Sequence, residues 1–173
     1  FGGAVTINGA VSSSGNLLPG GASTVGTLTI NNGLTLTGGG LALDLNGANN
    51  ATGGGINDLF AITGNVNASG TVIVSPVFSS TPAVNTVYTF GTYTGSLTGG
   101  ASFAAGSRAI NIDTGTANQL NLIYTGAASG NLNWSSTSSS DWDVVNSLNW
   151  YNTGSASTDR YYQADTVTFD NTA

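Results

Sequence analysis

Short runs of strict two-residue alternation, cut at regular intervals by glycine and asparagine, constrain this chain more than any other feature. "AVTI" sets Val5 and Ile7 on one side, "TLTI" Leu28 and Ile30, "LTL" Leu34 and Leu36, and "LALDL" Leu41, Leu43 and Leu45. Further along come Val72 with Val74, Tyr88 with Phe90, Ile110 with Ile112, Leu120 with Leu122 and Tyr124, and Val167 with Phe169. Side chains alternate across a strand, so each run reads as a strand with one buried face. Turns such as "INGA", "NNGL" and "TGNV" bound about a dozen such runs, and no stretch has the 3.6-residue period of a helix. The chain is therefore expected to be all-β.

Two architectures satisfy the pattern. A β-sandwich or jelly roll needs hairpins with tight turns. A β-solenoid needs short strands, small corner residues and inward aliphatic stacks repeated from rung to rung. The first half favours the solenoid, because its inward residues are nearly all Leu, Ile and Val and its outward ones Thr, Asn and Ser. From "SPVFSSTPAVNTVYTFGTYTG" onward, with two prolines and more aromatics, a less regular sheet is expected. "TGAASG", residues 125–130, reads as a linker. We therefore expect solenoid rungs over 1–125 and a separate tryptophan-bearing β segment over 126–173.

Charge is scarce. The 173 residues hold eight aspartates and two cations, Arg108 and Arg160, with no lysine, histidine, cysteine, methionine or glutamate, for a net charge of −6. Clustered lysine and arginine are what nucleic acid and anionic membranes require, so neither is an expected partner. No apolar run approaches a membrane-spanning helix. Without Ser-His-Asp, lysine or thiol chemistry, enzymatic function is not expected, nor is any cofactor. Aspartate pairs, Asp141 with Asp143 and Asp165 with Asp170, are the one residue of glycosidase chemistry. They read better as turn residues that bond their own backbone. Asp141, Asp143 and Asn146 offer hard oxygens to calcium, at a spacing that matches no known loop, so no metal is expected. Arg160 is expected to pair with Asp159, and Arg108 with Asp113. A chain beginning at Phe1 is expected to be processed or cut from something longer, and its Thr/Ser/Asn surface suits an extracellular or cell-surface, bacterial setting.

Trp134, Trp142 and Trp150, eight residues apart, are the only tryptophans. They could form a platform for sugar rings, which would make the chain an adhesin or carbohydrate-binding module. "SSTSSS" interrupts the run, so core or cap is the favoured reading, as bulky rings supply area that a glycine-rich segment lacks.

These residues resemble a known group. Gly15, Leu17, Pro19 and Gly20; Gly26, Leu28 and Ile30; Leu41, Leu43, Asp44 and Leu45; and Asp58, Leu59, Ile62, Thr63 and Gly64 resemble autotransporter-associated β-strand repeats of passenger β-helices. Trp134, Trp142, Asp143, Asn149, Trp150, Asp165, Val167, Phe169 and Asp170 resemble the W…W-D…N-W…D-x-V-x-F-D unit of the same surface proteins. The resemblance implies a structural bacterial surface protein. It departs in two ways: no stretch resembles the family's membrane barrel, and the tryptophan unit follows the rungs instead of preceding them. Read end to start, "DTVTFDNTA" runs into "FGGAVTINGAVSS" as an unbroken family sequence. The expectation is a subunit or repeat of a fibre, joined head to tail to other copies of itself by strand pairing or donation through Phe1, Val5, Ile7, Val167 and Phe169.

Overall fold

The computed structural model describes residues 3–170. It is all-β, and its body is a β-solenoid of about four coils. The first coil carries β1 (Thr6–Ile7) and β2 (Val11–Ser13). The second carries β3 (Thr27–Asn31), β4 (Leu34–Leu36) and β5 (Gly39–Leu45), and the third β6 (Leu59–Thr63), β7 (Val66–Ala68) and β8 (Val72–Phe78). The fourth carries β9 (Val87–Tyr93), β10 (Leu97–Thr98) and β11 (Phe103–Ala105). Corresponding strands stack in parallel, giving three sides: β1-β3-β6-β9, β2-β4-β7-β10 and β5-β8-β11. On the third side the first coil contributes only a bridge from Leu17 to Leu41.

Register turns the alternation into stacked columns. Ile7, Ile30, Ile62 and Tyr93 are successive partners along the first side, and Leu28 lies beside Phe60. Val11, Leu34, Val66 and Leu97 form the column of the second side. From the second coil on, these columns make one core, with Leu28, Ile30, Leu34, Leu36, Leu41, Leu43, Phe60, Val66, Val72 and Val74 almost wholly buried. Between the columns, threonine and asparagine face outward and pair along the ladder; Asn31 Nδ2, for example, donates to Asn8 Oδ1 at 2.8 Å. Corners stack as closely as strands. Gly33 has φ +93°, and a Cβ there would sit 2.9 Å from the Asn65 carbonyl oxygen of the next coil. No side chain fits that corner in that conformation.

The less regular region expected from residue 75 onward begins later: 75–95 are the end of the third coil and the start of the fourth, in parallel register with the coil before them. Pro76 is tolerated because β11 covers only Val72–Val74 of β8, so no strand on that side needs its missing N–H.

The coil does not run out bare at its far end. After β11 the chain forms an antiparallel hairpin, β12 (Ile110–Asp113) and β13 (Gln119–Tyr124), and β13 lies antiparallel on β9. Leu120 and Leu122 close the core there, and Phe78 packs against Tyr88 and Tyr124. The first coil has no such cover among the described residues: the outer edges of β1 and β2 are unpaired.

The last segment is a four-stranded sheet in the order β16-β15-β14-β17, with β14 (Asn131–Trp134), β15 (Trp150–Asn152), β16 (Ser157–Asp159) and β17 (Thr166–Thr168). The hairpin strands are antiparallel, whereas β17 returns parallel to β14.

One buried carboxylate links the second coil to the third. Asp58, just before β6, accepts Gly26 N–H at 2.7 Å through Oδ1 and Asp44 N–H at 2.8 Å through Oδ2. Its neighbour Asn57 accepts Asn46 N–H and donates to the Asn49 and Ala51 carbonyls, closing the long corner between β5 and β6. Burial pushes the Asp58 carboxyl above the ordinary aspartate range, against the two N–H bonds that favour its charge. Asp113 goes the other way: the Gly115 N–H bond, with help from Thr116, holds it below that range. Desolvation also acts on Asp159, yet the Asn152 amide, the Arg160 N–H and Arg108 outweigh it and bring it down. Titration followed by carboxyl carbon shifts should protonate Asp58 before Asp113 and Asp159 as pH falls. An Asp58 that protonates last would overturn this account.

Candidate functional site

The described residues hold two features with the potential to act on a partner: the aromatic face of the last sheet and the open edges of the first coil.

Arg108, in the turn before β12, joins the last sheet to the solenoid. Its Nε donates to Asp165 Oδ1 at 2.9 Å, and one terminal nitrogen reaches Asp165 Oδ2 at 3.0 Å, Asp159 at 2.9 Å and the Arg160 carbonyl at 3.0 Å. The guanidinium lies 4.5 Å over the Tyr162 ring. The Asp165 side chain is wholly buried and also accepts the Gly130 and Tyr162 N–H groups. Gln163 N–H donates to the Gly106 carbonyl of the coil, and Val144 and Gln163 line a groove with Asn16, Gly40 and Ile73. The segment is thus clamped to the coil on both sides of 125–130.

The expected ion pairs are corrected here. Arg108 does not meet Asp113, whose carboxylate is spent on its own turn through Gly115 N–H and Thr116. Arg160 does not bridge to Asp159; its side chain donates to the Asn146 carbonyl, and only its backbone N–H reaches Asp159.

The tryptophans converge. Trp150 is buried, and Trp134, Trp142, Tyr161 and Phe169 surround it at ring distances of 5.0 to 5.9 Å, mostly edge to face. Such pairs contribute about 0.5–1.5 kcal/mol each beyond area burial. The rings do not lie flat in a row, so a three-ring sugar platform is absent. Trp142 and Phe169 nevertheless remain 53% and 59% exposed. Asn149, fully buried, holds the serine loop between Trp134 and Trp142 by accepting the Ser138 and Ser139 N–H groups and donating to Ser139 Oγ and the Asp141 carbonyl.

The aspartates near these rings are engaged locally. Asp143 accepts the Asn146 and Ser147 N–H groups and the Ser147 hydroxyl, and Asp170 accepts Asn133 Nδ2. Asp165 and Asp170 therefore have different partners, and Asp165 faces arginine instead of open solvent. Among the described residues no three acidic, imidazole or thiol groups gather as a metal site.

At the first coil, Val5 is 40% exposed and Ile7 and Val11 are half-buried, although each extends a buried column. Val167 is half-buried on β17, whose outer edge is unpaired among the described residues. Phe1 lies outside the described residues. The sequence reading did not single out Tyr161, Leu132 or Val11; the alternation of Leu132 with Trp134 was the signal that could have found one of them.

Searches against family models, curated proteins and solved structures find no match to this chain.

Proposed function

We propose that this chain is a structural, non-enzymatic, extracellular protein whose copies join head to tail as subunits or repeats of a cell-surface fibre of bacterial type. The observation that carries the reading is the first coil. Its strands offer unpaired N–H and C=O rows, and Val5, Ile7 and Val11 leave apolar columns partly open to solvent. An edge of this kind pairs readily with another strand, and natural sheets usually blunt it with lysine, proline or a covering element. Neither lysine nor proline stands on β1 or β2, and no element among the described residues covers their outer edges. Composition supports a passive role, since the carboxylates described above serve backbone N–H groups and arginine.

Light scattering and electron microscopy of the purified chain test this. Assemblies that lengthen with concentration are expected. Val5→Lys places a charge on an exposed residue, so folded stability should change by no more than about 0.5 kcal/mol while assembly weakens at least tenfold. A chain that stays monomeric at every concentration overturns the reading.

A carbohydrate-binding role is the second reading, favoured by the exposed Trp142. Its signature is a glycan-dependent shift in tryptophan fluorescence that disappears in Trp142→Ala.

A further inference from the structure

We infer that the strand meeting the open coil is β17, pairing in parallel with β1 of a second copy so that Thr168 lies beside Thr6 and Phe169 beside Ile7. The inference rests on the assembly reading above and specifies its contact.

The last sheet repeats the pattern of the coil's first side. Along that side, the column Ile7–Ile30–Ile62–Tyr93 runs beside a second one, Leu28–Phe60, which Val5 prolongs. In the last sheet Leu132 partners Val167 and Asn133 partners Thr168, again in parallel. Trp134 and Phe169 come next, with rings 6.0 Å apart. Two apolar columns with a polar row between them therefore occur in both places. The strand sequences agree as well: "TVTFD" at 166–170 matches "TLTIN" at 27–31 at every position in character, and "AVTIN" at 4–8 at all but the first.

Placing β1 of another copy on the free edge of β17 joins the two patterns into one parallel sheet, β14-β17-β1-β3-β6-β9. Its columns would read Leu132, Val167, Val5, Leu28, Phe60 and Trp134, Phe169, Ile7, Ile30, Ile62. Thr168, Thr6 and Thr29 would continue the outer row, a pairing that favours sheets. Asp170 would stand beside Asn8, a carboxylate acceptor next to an amide already in the Asn8–Asn31 ladder. The contact covers the two apolar residues left most open at these edges, Phe169 and Val5.

Other edges fit less well. β16 is "STD", with no apolar residue to extend a column. On the coil's far end, β9 is already covered by antiparallel β13, and the Gly106 carbonyl after β11 is taken by Gln163. A one-residue shift of β17 would turn Val167 and Phe169 to the polar face.

Because the chain has no cysteine, the register can be read by disulfide trapping. Thr6→Cys chains are mixed with Thr168→Cys chains under mild oxidation, and in parallel with Thr166→Cys chains. Adjacent strands bring paired Cα atoms to about 4.8 Å, inside the disulfide range, while a two-residue offset does not. All three positions face outward, and circular dichroism checks the fold of each variant. The expected result is a Thr6–Thr168 linked heterodimer forming at least tenfold faster than the Thr6–Thr166 one, with linkage confirmed by peptide mass. Wild-type assembly without this preference overturns the β17–β1 pairing and leaves the assembly reading standing. A wild-type chain that stays monomeric, with neither heterodimer formed, overturns both.

Discussion

Arg108→Ala is expected to separate the unfolding of the last sheet from that of the solenoid. The substitution leaves the Asp165 carboxylate, whose side chain has no exposed surface, without its cation. Removing one partner of a buried pair costs about 3–5 kcal/mol, because the remaining charge must stay desolvated and unpaired or force the structure to open. The same change removes the bond to the Arg160 carbonyl, the Asp159 contact and the stacking on Tyr162. All three tryptophans lie between 134 and 150, so their fluorescence reports the last sheet, while far-ultraviolet dichroism is dominated by the strands of the coil. In urea the wild type should give coincident transitions by the two probes. In Arg108→Ala the fluorescence transition should move to lower urea, ahead of the dichroism. Coincident, unshifted transitions in the variant would show that Arg108 does not bear this role.

Asp58→Ala is expected to weaken the coil itself. It deprives Gly26 N–H and Asp44 N–H of their shared acceptor at a site with almost no solvent. Each orphaned buried donor costs about 1–3 kcal/mol, so the variant should lose about 2–6 kcal/mol in a dichroism-monitored melt. Asp58→Asn should lose roughly half as much, about 1–3 kcal/mol, since its Oδ1 can accept one N–H while its Nδ2 confronts the other. The pH dependence has a definite sign. The folded-state value of Asp58 is raised, so the stability linked to its proton is complete below the ordinary aspartate value and declines as pH rises through the raised one. The gap between wild type and Asp58→Asn should therefore be wider in acid than at neutrality. The contribution of Asp159, whose value is lowered, is present above the ordinary aspartate value and is lost as pH falls through its own. A gap between wild type and Asp58→Asn that widens toward neutral pH would contradict the burial account of Asp58.

Much of the coil was legible because its signal is local and repeated. Leu28, Ile30, Leu34, Leu36, Leu41, Leu43 and Leu45 alternate with polar residues, and each is buried. Residues 75–95 stay regular although proline and aromatic rings read locally as disruption. Whether Pro76 disrupts depends on how far β11 extends along β8, a matter of length in a strand about thirty residues away. The pairing of Arg108 was beyond reach for a related reason. Its partner Asp165 lies 57 residues distant, and nearby Asp113 looked suitable until its own turn claimed it. For the tryptophans, the "SSTSSS" interruption already spoke against an unbroken row; a serine loop held by Asn149 folds the segment back so that the rings meet around Trp150. Spacing gave no hint that Trp142 would keep a face in solvent.

The corner between β5 and β6 is long, exposed at 48–52 and at Gly54 and Gly55, and carries three consecutive left-handed glycines, Gly53, Gly54 and Gly55. Asn57 and Asp58 close its base. Perimeter and axial rise are therefore independent quantities in this molecule. Extra residues grafted at Gly54 and Gly55, where an added side chain would meet no other atom, should enlarge a single turn sideways while the closed base holds its neighbours in place, which makes the corner a platform for displaying a foreign peptide.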